Sequence, residues 1–276
     1  MVTVGLHEGG GEMTQSLNRF RITRTPASTA GAPRALLIHG FLDDASVWDD
    51  MVDSLAGEIG AVRYDLPGFG MRSGSVADAC STSLESLAAE AGDILSRIDG
   101  PVIVVGQSLG TQVAELVAAQ HSDQVRGLVL LTPVPLGGTQ LPDEVVAPFG
   151  ALGGDPVAQR RLRVELSPHL SEEQLDRLAD VGAPVAADVT AHYVDVWNNG
   201  VRNAPSTSAF GGPVLIIRGG ADGFATQQLV DAISPRFVEP DVNVVDKGGH
   251  WVHVEYPGAV ATMILDFVDA VAEVTP

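Results

Sequence analysis

A serine stands between two glycines at the point where a short apolar run ends, in the stretch VVGQSLGTQV (104–113). The run is typical of a buried strand, and the residues after Gly110 are typical of a helix. A strand that turns this tightly into a helix crowds the backbone on either side of Ser108, where Gly106 and Gly110 give clearance. The hydroxyl would point outward beside the helix N-terminus, which favours a developing negative charge. The pattern indicates a nucleophilic serine, and the simpler interpretation is a glycine-rich turn with Ser108 as an N-cap.

A candidate acid and a candidate base closely follow two other apolar runs, Asp222 after one and His250 after the next. A histidine can take the serine proton and later deliver it to a leaving group, and a carboxylate can orient that histidine. Alone, Asp222 fits an Asp-Gly turn and His250 fits a loop histidine, and His253 is a rival base. Because one such residue follows each of three runs in the order Ser…Asp…His, we expect Ser108, Asp222 and His250 to form a catalytic triad.

The loop His39-Gly40-Phe41-Leu42 follows a further apolar run. A tetrahedral intermediate needs two backbone N–H groups aimed at its oxyanion, and losing one donor typically costs ~100–1000-fold in turnover. We expect these groups from Phe41 and from Leu109, which directly follows the serine. Gly40 lets the backbone approach closely, and His39 is expected to be a buried group that braces the loop. The next polar residues are expected to cap the following helix: Asp43, Asp44 and Ser46.

Short apolar runs rich in Val, Leu and Ile recur along the chain and are typical of strands buried on both faces. Helix-like segments at 83–98, 111–120 and 257–274 lie among them. This alternation predicts right-handed crossovers and a parallel sheet with helices on both faces, whose ligands bind beyond the carboxyl ends of the strands. The stretches VTVGLHE and LNRFRITRT predict an antiparallel hairpin at one sheet edge. The runs span 34–39, 61–66, 102–106, 126–132, 213–219 and 242–246.

The alternation stops in residues 133–210, which hold weakly amphipathic helices and no strand run. We expect a helical cap inserted into a core formed by residues 1–132 and 211–276. The cap is expected to set substrate choice, and the alternative is that its aromatic side chains only anchor it to the core. The candidate substrate contacts are Trp48, Gln107, Tyr193, Trp197 and Trp251.

The composition narrows the class of partner. The formal net charge is −19, from 16 Lys and Arg against 35 Asp and Glu, and such a surface repels nucleic acid and anionic membrane. The single cysteine, Cys80, allows no internal disulfide and no cysteine-based zinc site. The sequence shows neither a signal-peptide pattern nor the ~20 apolar residues of a membrane span. We expect a cytoplasmic protein with a small-molecule substrate and no metal, and leave monomer and homo-oligomer both open.

Taken together, the motifs resemble those of the α/β-hydrolase fold superfamily over nearly the whole chain outside the expected cap. RALLIHGF resembles its oxyanion loop, YDLPGFGMRS its Asp-x-Pro-Gly-x-Gly turn, VGQSLG its nucleophile turn and RGGADGF its acid loop. GGHWVHVEYP is similar to its ending, with His250 as the base and with Glu255 and Pro257 starting the last helix. The resemblance implies a mostly parallel eight-stranded sheet flanked by helices, with an inserted helical cap and the same triad and oxyanion donors.

Ser108 argues against the dehalogenases and epoxide hydrolases of this fold, whose nucleophile is an aspartate. We expect a serine hydrolase that cleaves a carboxylic ester or lactone of a small, uncharged, fairly apolar molecule through an acyl-enzyme intermediate, without a cofactor. One alternative is a C–C bond hydrolase acting on a β-diketone-like substrate. A second is a relative of the cofactor-free haloperoxidases and perhydrolases, which usually carry Phe where this chain has Gln107. A third, from a different class, is a binding protein that keeps a hydrolase pocket.

Overall fold

The computed structural model describes residues 20–274, in which seven strands form one sheet of order β1-β3-β2-β4-β5-β6-β7. Strand β1 pairs antiparallel with β3, and the remaining pairs are parallel. The predicted fold class is confirmed, with seven strands in the described range where eight were expected. Of the predicted hairpin, β1 lies at the sheet edge, and VTVGLHE falls outside the described residues. The strands are β1 Thr23–Thr25, β2 Arg34–Ile38, β3 Gly60–Tyr64, β4 Val102–Gln107, β5 Val125–Leu131, β6 Val214–Gly219 and β7 Asp241–Val245.

Eleven α-helices lie in the described range, and side-chain caps explain where some of them begin. Ser83 and Ser86 form a capping box at the start of α3, and Pro257 opens the last helix as expected. The helices are α1 Asp49–Ser54, α2 Val76–Ala79, α3 Leu84–Leu95, α4 Leu109–Gln120, α5 Asp143–Gly150, α6 Pro156–Leu166, α7 Glu172–Gly182, α8 Ala187–Asn199, α9 Gln227–Ile233, α10 Val252–Glu255 and α11 Pro257–Val274. Short 3-10 turns precede α1, follow β3 and follow α9.

The central strands are buried on both faces because helices cover the sheet on each side. All residues of β4 are buried, as its continuous apolar run predicts. One apolar cluster joins the sheet to α3 and α4, and a second joins its other face to α1 and α11. Burial of this kind stabilises the fold by roughly 25 cal/mol per Å² of apolar surface.

The register of the parallel strands brings their carboxyl ends to one edge of the sheet. Ile38 of β2 lies opposite Gly106 of β4, and Gln107 lies opposite Leu131 of β5. Leu131 in turn lies opposite Ile217 of β6. The loops that leave these strands therefore meet at this edge, which is where parallel sheets place their ligands.

Between β5 and β6 the chain forms α5 to α8, with α5 packed on α8 and α6 on α7. These helices join the core by specific contacts as well as by apolar packing. Gln112 of α4 donates hydrogen bonds to the carbonyl oxygens of Pro135 and Trp197, at 2.8 and 3.1 Å. From residue 20 to residue 274, no helix combines the length and apolar character needed to cross a membrane.

Candidate active site

Ser108 lies at the sharp turn between β4 and α4, in a strained backbone conformation with φ of 51° and ψ of −122°. The flanking glycines explain how the turn closes. A Cβ on Gly106 would lie 2.2 Å from the carbonyl oxygen of Gly110, and one on Gly110 would lie 2.3 Å from that of Ile38. Any side chain at either position would collide with backbone, so the two glycines are requirements of this turn.

Ser108, His250 and Asp222 form a continuous hydrogen-bonded chain. The Ser108 Oγ lies 2.9 Å from His250 Nε2, and His250 Nδ1 lies 2.9 Å from Asp222 Oδ2. The other Asp222 oxygen, Oδ1, accepts from the backbone N–H groups of Phe224 and Ala225 at 2.7 and 3.1 Å. Because a carboxylate only accepts, this arrangement sets the tautomer with the proton on Nδ1 and leaves Nε2 free to accept from the serine.

The backbone of His250 is held as tightly as its ring. Its carbonyl oxygen accepts from Gln107 Nε2 and from Thr132 Oγ1, both at 3.1 Å. Its N–H donates to the carbonyl oxygen of Leu166, the last residue of α6, at 2.8 Å. Phe224 and Trp251 flank the imidazole edge-on, each with a centroid separation of 5.4 Å. The histidine is therefore fixed by β4, by the loop after β5 and by α6.

The expected oxyanion donors, Phe41 and Leu109, lie on the segments after β2 and β4. Leu109 is the first residue of α4, so its N–H belongs to the helix turn that has no intrahelical acceptor. Phe41 lines the cavity beside Ser108. Gly40 allows this approach, because a Cβ there would lie 2.0 Å from Gln107 Oε1. His39 braces the loop as expected, accepting from Leu66 N–H at 2.9 Å and donating from Nδ1 to the Gly40 carbonyl at 2.8 Å.

A small cavity with a volume of about 30 Å³ lies over Ser108. Its polar groups are Ser108, His250 and Gln107, and the amide of Gln107 is engaged with His250 and Thr132. The other side chains of the lining are apolar, and they come from the core loops and from α5, α6 and α8: Phe41, Phe149, Leu162, Leu166, Trp197, Phe224 and Trp251. Such a lining suits an uncharged group on the ligand.

The structure places two expected substrate contacts away from this cavity. Trp48 is fully buried and stacks on the ring of His253, with centroids 4.5 Å apart. Tyr193 is also fully buried, donates from its hydroxyl to the Pro67 carbonyl at 2.9 Å, and contacts Phe69. Both rings therefore pack in the core and do not border the cavity over Ser108.

Other residues near the site also differ from expectation. Asp44 caps the turn before α1 through the N–H of Ser46, as expected, but Asp43 is buried and accepts from Trp251 Nε1 at 2.9 Å. Glu255 ends α10 instead of starting the last helix, and it accepts from the N–H groups of Gly249 and His169. Burial raises the pKa of the Glu255 carboxyl, and these two hydrogen bonds oppose that rise.

Sequence reasoning missed several residues that contact the site, among them Thr132, Phe224 and Arg163. Thr132 and Phe224 follow strands β5 and β6. Inspecting the residues after each apolar run, which identified Ser108, therefore identifies them as well. Arg163 carries no such signal, because it stands in the polar run RRLR of α6. In the part of the chain that the structure describes, no cluster of three or more His, Cys, Asp or Glu side chains is arranged to hold a metal ion.

Two curated esterases share sequence with this chain over most of its length. A pimeloyl-[acyl-carrier protein] methyl ester esterase of Neisseria meningitidis is 26% identical over 257 residues, covering 87% of this chain and 78% of the relative. An esterase of Mycobacterium tuberculosis is 28% identical over 261 residues, covering 86% of this chain and 83% of the relative.

Solved structures show the same fold. A hydrolase from Oleispira antarctica superimposes with a TM-score of 0.79 at 18% identity, covering 93% of this chain and 97% of that one. The profile of the alpha/beta hydrolase family matches residues 35–263, which span both the proposed triad and the helices between β5 and β6. The chain therefore belongs to the alpha/beta hydrolase family.

Proposed function

We propose that this protein is a serine hydrolase that cleaves a carboxylic ester or lactone of a small, uncharged, fairly apolar molecule. The observation that carries the proposal is the chain of two 2.9 Å hydrogen bonds that runs from Ser108 through His250 to Asp222. Its Ser108 end faces an apolar cavity. The esterase relatives support ester hydrolysis at the level of the family.

In the proposed reaction, Ser108 Oγ attacks the substrate carbonyl carbon while its proton passes to His250 Nε2. The carbonyl π bond breaks and its oxygen takes the negative charge, which the N–H groups of Phe41 and Leu109 stabilise. Asp222 keeps the ring oriented and stabilises the imidazolium. The carbonyl double bond then re-forms and the C–O bond to the leaving group breaks. His250 gives its proton to the oxygen of the leaving group. Water repeats the sequence on the acyl-enzyme and releases the acid.

We also propose that residues 133–210 act as a cap over a core of residues 1–132 and 211–276. Support comes from the cavity, whose walls include Phe149 and Trp197 of the proposed cap. Phe149 and Trp197 pack edge-on with centroids 5.8 Å apart, and each packs on Phe224 of the core. These rings restrict the length of the acyl or alkoxy group that fits over Ser108.

The test is a fluorophosphonate probe, followed by a screen of p-nitrophenyl esters of increasing acyl length beside lactones and a vinylogous diketone. We expect the native protein to be labelled, Ser108→Ala to remain unlabelled, and short uncharged esters or lactones to be turned over. Equal labelling of Ser108→Ala would contradict the assignment of the nucleophile. Turnover of the diketone with little ester cleavage would identify C–C hydrolysis instead, and ligand binding without turnover would indicate a binding protein.

A further inference from the structure

A buried charged pair links α6 to two of the loops that carry proposed catalytic groups, the Phe41 loop and the His250 loop. Arg163 of α6 and Asp43 of the loop after β2 are both fully buried, with Arg163 Nη2 3.6 Å from Asp43 Oδ1. Arg163 Nη2 also donates to the carbonyl oxygen of Leu42 at 2.9 Å. Leu42 directly follows Phe41, so this contact fixes the loop that supplies one expected oxyanion N–H.

The same pair also reaches the histidine loop. Asp43 Oδ2 accepts from the indole N–H of Trp251 at 2.9 Å, and the Arg163 guanidinium lies over the Trp251 ring at 5.7 Å from its centroid. Trp251 is the residue after His250, and its ring packs edge-on against the imidazole. The backbone adds to this link, because the N–H of Trp251 donates to Ser167 Oγ at 2.8 Å.

A contribution to fold stability is a weak explanation for this pair. Desolvation of two buried charges costs several kcal/mol per ion, and well-packed apolar replacements are often neutral or stabilising. The cluster is also incompletely satisfied, since Asp43 Oδ1, Arg163 Nε and Arg163 Nη1 have no hydrogen-bond partner among the described residues. Burial raises the pKa of Asp43 and lowers that of Arg163, and the attraction between the two opposes both changes. An arrangement that costs this much is better explained by what it orients.

We propose that Asp43 and Arg163 are positioning residues, which hold the His250 loop and the Phe41 loop in place relative to Ser108. Neither side chain lines the cavity, so they act through Trp251 and Leu42. The catalytic part of this inference rests on the proposed function. The geometric part, that the pair orients His250, stands independently of it.

The test compares three proteins with the native one. Arg163→Met removes the charge and the hydrogen bond to Leu42. The double variant Asp43→Leu/Arg163→Met replaces the pair with apolar groups and leaves no uncompensated buried charge. Arg160→Met is the matched control, because Arg160 lies on the same helix and makes exposed ion pairs with Glu172 and Asp176.

We expect the double variant to unfold at a urea concentration close to that of the native protein and its kcat to fall about 10–100-fold, with KM changed little. Arg163→Met should show the same kcat loss together with lower stability. Arg160→Met should retain native kcat. A folded double variant with native kcat would overturn the proposal, and so would a loss confined to KM, which would indicate a role in substrate binding.

A second measurement keeps the geometric part testable without any substrate. In the native protein the proton on His250 Nδ1 is held by Asp222 and should give a downfield ¹H resonance coupled to the ring nitrogen in ¹⁵N-histidine-labelled protein. We expect this signal to shift or broaden in the double variant and to persist in Arg160→Met. An unchanged signal in the double variant would overturn the positioning of His250. If the proposed function is wrong, the native protein will not turn over esters. The His250 resonance would still show whether the pair orients His250.

Discussion

Gln107, the residue before Ser108, donates a hydrogen bond from Nε2 to the carbonyl oxygen of His250 at 3.1 Å. The side chain beside the proposed nucleophile therefore fixes the backbone of the proposed base, across 143 residues of sequence. Its other carboxamide atom, Oε1, lies under Gly40 of the oxyanion loop. One buried amide thus contacts three of the loops that assemble the site.

Gln107→Met keeps the length of the side chain and removes its donor. We expect kcat for ester cleavage to fall about 10-fold while KM changes little, because the His250 carbonyl keeps Thr132 as its one side-chain donor and the ring is less well placed. Gln124→Met is the control. Gln124 donates in the same way to the carbonyls of Leu95 and Ile98, far from the proposed triad, so its variant should lose stability alone. Equal kcat in the two variants would show that Gln107 does not position His250.

The residues that sequence reasoning found share a local signal. Ser108, Asp222 and His250 each follow an apolar run at a strand end, and parallel pairing then brings such ends to one edge of the sheet. The glycine requirement at 106 and 110 is local as well, since it arises within a single turn. Fold class and candidate triad could therefore be read from the chain before any contact was known.

The residues that were missed or misassigned depend on contacts distant in sequence. Arg160 and Arg163 stand in the same polar run, yet Arg160 is only partly buried, in ion pairs at the surface, and Arg163 is fully buried beside Asp43. Asp43 looks like a helix cap, and only the position of Trp251, 208 residues later, shows otherwise. Residue type cannot distinguish a ring that lines a cavity from one that anchors a helix, so the buried position of Tyr193 against Phe69 was not evident from the sequence.

Gly110→Ala tests the clearance at the strand-to-helix turn. Its Cβ would lie 2.3 Å from the carbonyl oxygen of Ile38, and backbone on a central strand cannot move aside cheaply. We expect the free energy of unfolding in urea to fall by about 1–3 kcal/mol. Gly258→Ala is the matched control, because nothing lies within 4 Å of a Cβ there. A Gly110→Ala protein as stable as Gly258→Ala would contradict the steric argument.

Phe149→Ala tests whether the aromatic wall limits substrate length. The change removes a ring that lines the cavity and packs on Trp197 and Phe224. Because one methylene in an apolar pocket is worth about 1–3 kcal/mol, we expect the kcat/KM ratio of hexanoyl to acetyl p-nitrophenyl ester to rise at least ~10-fold. Phe267→Ala provides the comparison, since Phe267 is buried in the second apolar cluster, against the glycine at 127. It should reduce stability and leave the ratio unchanged. An equal change of this ratio in both variants would show that a general loss of packing, and not the removal of the Phe149 ring, changes the preference for acyl-chain length.

His253 predicts a specific loss of stability in acid. Its ring is fully buried against Trp48, both ring nitrogens lack a hydrogen-bond partner among the described residues, and burial together with the nearby His250 lowers its pKa to about 3. The unfolded chain binds the proton near its ordinary pKa of 6.5, so between these two values the unfolded state holds more protons than the folded one. Stability therefore rises with pH across this window and falls as the solution is acidified.

The expected loss approaches about 1.4 kcal/mol for each pH unit below 6.5 from this one group. His253→Phe keeps an aromatic ring against Trp48 and removes the titration. We expect the variant to gain stability relative to the native protein as pH falls from 7 to 4, whatever the difference between them at pH 7. The measurement is urea unfolding of both proteins across that range, in which the titrations of groups that do not interact with His253 cancel from the difference. A difference that stays constant with pH would mean that His253 is protonated in the folded protein or reaches solvent.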